Sequence, residues 1–171
     1  MANDNAKQQF TMAEWNDFFV AVAGASAALT GLIFVGISIS LTKILSIQGL
    51  PDRALLSLLL LLNVLIISIL FLVPQQTTKA IGIEVLVFGI IVWVVVLKLD
   101  LRIYKQKQNR YRLPYVFYFV IDHLATVPFV IAGFALIINC TNAEYWVLPA
   151  IIFSIVKAVL DGWVLLVEIN R

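Results

Sequence analysis

Five apolar runs, separated by short polar or helix-breaking stretches, organise the chain. The first is FFVAVAGASAALTGLIFVGISISL, Phe18 to Leu41. The preceding Thr11 and Glu14 have the T-x-x-E spacing of a capping box, so the helix is predicted to begin near there. Gly49 and Pro51 end the segment. A second run, 54–73, closes at Pro74 and the polar turn QQTTK. Three more follow at about 80–101, 114–139 and 145–168. A bilayer core needs roughly 20 apolar residues of helix. The pattern therefore predicts an all-α integral membrane bundle of five transmembrane helices. It forms a single membrane domain over 1–171, with spans at about 16–45, 54–73, 80–101, 114–139 and 145–168.

Composition agrees with this pattern. The chain is 62% hydrophobic and 13% charged, about half the charge of a typical soluble domain. The polar N-terminal stretch lacks the basic region, short apolar core and cleavage site of a signal peptide, so the first span is expected to be retained. Lysine and arginine set the direction. Lys43, Arg53, Lys98, Arg102, Lys105, Lys107, Arg110, Arg112 and Arg171 fall on one side, and only Lys7 and Lys79 on the other. The positive-inside rule puts the first group in the cytoplasm, with the N-terminus outside and the C-terminus inside. Trp15, Phe18, Phe19, Tyr145 and Trp146 suit the aromatic belts at the interfaces. The longest polar stretch is the basic loop at about 98–113, so no soluble catalytic domain is expected. A net charge of +2 gives no reason to expect a nucleic-acid partner.

Span one is rich in small residues. Asp17, Ala21, Gly24, Ala28, Gly31, Val35, Ser38 and Thr42 follow helical steps of four and three, so they share a face. Small faces let membrane helices approach closely. Gly24, Ala28, Gly31 and Ser38 are therefore expected to form a helix-packing seam, with a neighbour in this chain or in another copy; a pore-lining or partner-binding face is the alternative. Asn63, in the middle of a leucine-rich span, is expected to hydrogen-bond to another helix. Glu84 is expected to be solvated or lightly paired near the outer end of span three.

The last two spans carry charges where lipid is expected. Lys157 and Asp161 lie deep in span five, and each costs about 2.5–3.5 kcal/mol at a helix centre. The 13 Val, Ile, Leu and Phe of 147–167 return roughly 4–8 kcal/mol, nearly cancelling that cost. Other helices are thus expected to shelter the pair. Ala150, Ser154, Lys157, Asp161 and Glu168 share a face, and Lys157 and Asp161 stand at i and i+4, close enough to pair. Span four carries Asp122 and His123. A hairpin turning near Asn142 would set them level with Gly162 and Asp161, with Gly162 allowing close approach and Pro128 kinking the helix above. Asp122, His123, Lys157 and Asp161 are therefore expected to meet in the cytoplasmic half of the bilayer. Such a cluster is either a polar network that fixes register, a proton- or ion-linked site, or a recognition site.

Catalytic chemistry finds no support. The chain has one histidine and one cysteine, Cys140, so a bis-histidine haem or His-rich metal site cannot form within it. No zinc-protease, nucleophile-elbow or phosphate-loop motif occurs. Asn139-Cys140-Thr141 matches a glycosylation acceptor only by pattern. No catalytic residues, metal or cofactor are expected.

Two stretches carry a resemblance: EWNDFFVAVAGASAALTGLIFVGISISL (Glu14 to Leu41) and YWVLPAIIFSIVKAVLDGWVLLVEINR (Tyr145 to Arg171). They resemble the two ends of a family of small bacterial multi-pass inner-membrane proteins, some labelled modulators of the membrane protease FtsH. The resemblance implies a regulatory protein of the bacterial cytoplasmic membrane and transfers no site residues. The resulting expectation is a non-enzymatic structural or regulatory protein that associates, through its helices, with another copy or a membrane protein partner such as a protease. The alternative is a small oligomeric channel or proton-linked transporter that uses the intramembrane cluster.

Overall fold

A computed structural model describes the backbone of residues 2–106, 112–140 and 142–169, and the side chains of 15–105, 117–140 and 142–168. The chain is all-α, with no strand among the described residues. Its helices are α1 (Ala2–Ile39), α2 (Leu41–Ser46), α3 (Leu50–Leu72), α4 (Thr78–Gln106), α5 (Arg112–Ile137) and α6 (Val147–Ile169). A short 3-10 turn, Ala143–Trp146, leads into α6. Among the described residues, five segments are long and apolar enough to cross a membrane: Trp15–Ile39, Leu50–Leu72, Thr78–Lys105, Phe117–Ile137 and Ala143–Glu168.

Element boundaries differ from the sequence pattern in three places, each with a local cause. First, α1 begins at Ala2, so Thr11 and Glu14 lie inside a helix rather than at its start; their side chains fall outside those described. The Ala, Lys, Gln, Met and Glu of this stretch are good helix formers. Second, the first span does not run to 45. It ends at Ile39, and the short α2 follows. Ser38 Oγ donates back to the Phe34 carbonyl at 2.8 Å, a bond that weakens a helix ladder. Beyond the break, Ile44 is buried with Leu50, Ala54 and Leu165. Third, most of the basic stretch at 98–113 is helix, because α4 continues to Gln106 and α5 begins at Arg112. Lys107 and Arg110, like Arg171 at the C-terminus, lie outside the described residues.

α3 is the hub, packed against α1, α4 and α6, while α5 packs against α4 and α6. Gly49 opens α3 with φ +87°, a conformation glycine adopts freely, and Pro51 stands in the first turn where its missing N–H costs nothing. The apolar core runs through Phe19, Val64, Ile67, Val85, Phe129, Leu136 and Val147. The Phe19 and Phe71 rings stack at 4.3 Å, and Trp15 meets the Tyr145 ring edge-on at 5.2 Å. These aromatics thus pack on one another across three elements as well as standing near a span end.

The tightest helix pair is α4 with α5, and glycine makes it possible. A Cβ on Gly133 would stand 2.6 Å from the Leu86 backbone nitrogen, and one on Gly82 would stand 2.9 Å from that of Ile137. Gly89, seven residues after Gly82, faces Phe129 and Val130. The close-packed glycine seam within this chain is therefore here. The small face of span one points the other way: Gly24, Ala28, Gly31 and Ser38 are all exposed.

Candidate functional site

The charges of spans four and five meet inside the bundle. α6 turns Ala150, Ser154, Lys157, Asp161 and Leu165 inward, and all five are buried. Lys157 Nζ donates to Asp161 Oδ2 one turn along the same helix. The same ammonium lies 2.8 Å from Asp122 Oδ1 of α5. Lys157, Asp161 and Asp122 are only 2%, 1% and 1% exposed. A single ammonium thus bridges two carboxylates and two helices. Ser154 Oγ reinforces the contact by donating to the Ala125 carbonyl of α5 at 3.1 Å.

The helix register is shifted from the expected one. Lys157 is level with Asp122 and Ser154 with Ala125, about a helical turn from the predicted alignment of Asp122 with Gly162. The cause lies in the connection. After α5 ends at Ile137, Asn139 and Asn142 both take positive φ, +52° and +63°, and the 3-10 turn from Ala143 then leads into the returning limb. A turn centred on Asn142 would have needed the two limbs to be symmetric. Gly162 consequently faces Ile33 of α1 at ordinary contact distance, not α5. Pro128 sits within α5, which continues on both sides of it.

His123 does not join Lys157. It points toward α4, with Nδ1–H donating to the Phe119 carbonyl at 2.9 Å and lying 3.9 Å from Asp100 Oδ2. The Phe119 ring stacks on its imidazole at 4.1 Å. Asp100 is the member that the sequence reading missed. It is 3% exposed and lines the same small cavity as Asp122, Lys157 and Asp161. Reading lysines 98 and 105 and Arg102 as a loop hid it. The usable signal was helical spacing: Val96, Leu99, Asp100 and Ile103 form one buried face.

Arg53 of α3 and Tyr118 of α5 border the cluster. The Tyr118 ring carries the Arg53 guanidinium at 4.7 Å and the Lys157 ammonium at 5.8 Å, both within cation–π range. Arg53, Asp100, Tyr118, Asp122, Lys157 and Asp161 line a cavity of only about 10 Å³, the minimum for one water molecule. The site therefore holds three carboxylates around one lysine, nearly dry, joining α4, α5 and α6. Among the described residues no group of three His, Cys, Asp or Glu side chains is arranged to hold a metal.

Other sequence candidates separate from this cluster. Asn63 is buried, but neither its side-chain oxygen nor its nitrogen has a hydrogen-bond partner, so the expected interhelical bond is not formed. Gln76 Nε2 donates to both carboxylate oxygens of Glu84 at 2.9 Å. On the exposed face of span one, nothing stands within 4 Å of a Cβ built on Gly24 or Gly31. Comparison with protein-family models, curated proteins and solved structures finds no match to the chain.

Proposed function

We propose that this is a non-enzymatic protein of the bacterial cytoplasmic membrane that acts by helix–helix association, with the exposed face of α1 as the contact. The observation that carries this reading is the exposure of Gly24, Ala28, Gly31 and Ser38 on a span that is only 11% buried in this chain. Glycine within a helix costs roughly 0.5–1 kcal/mol relative to alanine. In α4 and α5 that cost is offset by close packing. In α1 no contact among the described residues offsets it, and a second helix, from another copy or a different membrane protein, would. The family resemblance of the chain ends makes a membrane protease one candidate partner. The lysine and arginine distribution favours an N-terminus outside and a C-terminus in the cytoplasm.

The test is affinity purification from native membranes in a mild detergent, with crosslinking, for the wild type and for Ala28→Leu and Gly31→Leu. Both side chains would project from an open face, so unfolding temperatures should be unchanged while the crosslinked partner is lost. Undiminished crosslinking would sink the proposal.

A second reading is a proton-linked carrier. Lys157 between Asp122 and Asp161, with Asp100 adjacent, offers acceptors for a proton if water enters. It ranks lower because the cavity admits no more than about one water. Purified protein in liposomes decides: flux that changes in Asp161→Asn supports the carrier, and no flux at any pH supports the first reading.

A further inference from the structure

We propose that the outer face of α4 binds an anionic phospholipid, its phosphate held by Lys98, Arg102 and Lys105 and its chains lying along Ile90, Ile91 and Val94. The face follows from spacing. Val87, Ile91, Val94, Lys98, Leu101 and Lys105 step by four and three, so they share one side of the helix. Val87, Ile90, Ile91 and Leu101 are exposed. The opposite side of the last turns carries Val96, Leu99, Asp100 and Ile103, all buried. The basic residues therefore play no part in the core.

The basic part of this face is shaped as well as charged. Lys98, Leu101, Arg102 and Lys105 line a concavity of about 490 Å³. Arg102 is tethered from α3 by Asp52 at 3.5 Å, yet its side chain remains 65% exposed. Lys98 and Lys105 have no carboxylate partner among the described residues. Three cations thus surround one concavity with a single carboxylate beside them, an excess that favours an anion.

Depth selects the lipid as its source. Thr78–Lys105 makes about 42 Å of helix, matching the roughly 40–45 Å of a bilayer with its headgroups. Lys98 stands where the apolar run ends, and Lys105 is about 10 Å farther along the axis, so the concavity spans the headgroup layer. A soluble phosphate would use only the basic end. A phospholipid would also cover the exposed isoleucines that continue from it into the hydrocarbon.

The experiment titrates the detergent-purified full chain with phosphatidylglycerol and, separately, with phosphatidylcholine of the same acyl chains, counting bound lipid by native mass spectrometry. Wild type should prefer phosphatidylglycerol. A lysine near the surface of an anionic membrane contributes roughly a 5-fold gain in affinity. Lys98→Gln with Lys105→Gln should therefore weaken phosphatidylglycerol binding by about 25-fold and remove the preference. Lys43→Gln, on α2 and off this face, should leave it intact. The proposal is overturned if wild type binds both lipids equally, if the double variant keeps the preference, or if Lys43→Gln lowers it as much. Displacement of the lipid by millimolar inorganic phosphate would overturn the lipid assignment by showing that the basic end alone is the site.

Discussion

At the scale of single residues, Lys157 holds the balance of the buried cluster. Its ammonium is the one positive charge between Asp122 and Asp161, and Asp100 lines the same cavity. Replacing it by leucine would leave buried carboxylates facing one another. Breaking a buried pair from one side costs about 3–5 kcal/mol, so Lys157→Leu should lower the unfolding temperature in detergent strongly or prevent accumulation. Asp161→Asn should cost less, because Lys157 keeps Asp122 and the amide can still accept a hydrogen bond. Replacing the set together, as Asp122→Asn, Lys157→Met and Asp161→Asn, should recover much of the loss, since no uncompensated charge then remains among the three. A triple variant as unstable as Lys157→Leu alone would show that the cluster's value lies in shape rather than charge balance. Three of these residues were legible in the sequence because a charge in an apolar run has so few explanations. Asp100 was not, because Lys98 and Arg102 stand two residues to either side of it and only the helical phase separates its buried side from their exposed one. His123 was legible as an intramembrane polar group but not in its direction, which depends on the Phe119 carbonyl and ring.

At the scale of elements, glycine distinguishes two kinds of helix face that look alike in sequence. Gly133 lies against the Leu86 backbone, where an added methyl has no room. Gly133→Ala should therefore destabilise the α4–α5 pair by about 1–3 kcal/mol, the usual cost of overpacking. Gly24 faces open space, and Gly24→Ala should leave the isolated chain as stable or raise its stability by about 0.5–1 kcal/mol through helix propensity. Parallel melts of the two variants check this, and equal losses would contradict the packing described. The five spans could be read from apolar runs alone because each exceeds the length a bilayer requires. Which glycine face is used inside the chain could not, because the stripe in α1 is denser than the Gly82–Gly89 pair that actually packs. The hairpin register was also beyond reach. It is set by the asymmetric 3-10 turn, and a shift of about one helical turn leaves the same polar face pointing inward, so the sequence pattern fits both alignments.

At the scale of the whole molecule, the proposed direction of the bundle rests on its lysine and arginine distribution, and the single cysteine makes that proposal testable without altering the protein. Cys140 is exposed in the connection between α5 and the 3-10 turn. That connection lies at the opposite end of the spans from Lys98, Arg102 and Lys105, because α5 begins just after the basic stretch and runs away from it. If the basic end faces the cytoplasm, as the positive-inside rule requires, Cys140 faces outward. A membrane-impermeant maleimide should then label it in intact spheroplasts, with no further labelling after lysis. Protection in intact spheroplasts followed by labelling on lysis would reverse the orientation and, with it, the leaflet in which α4 meets its lipid. The same reagent separates orientation from folding. A thiol buried by a different packing would stay unreactive on both sides of the membrane until the protein is denatured, whereas the described connection reacts wherever the reagent can reach it.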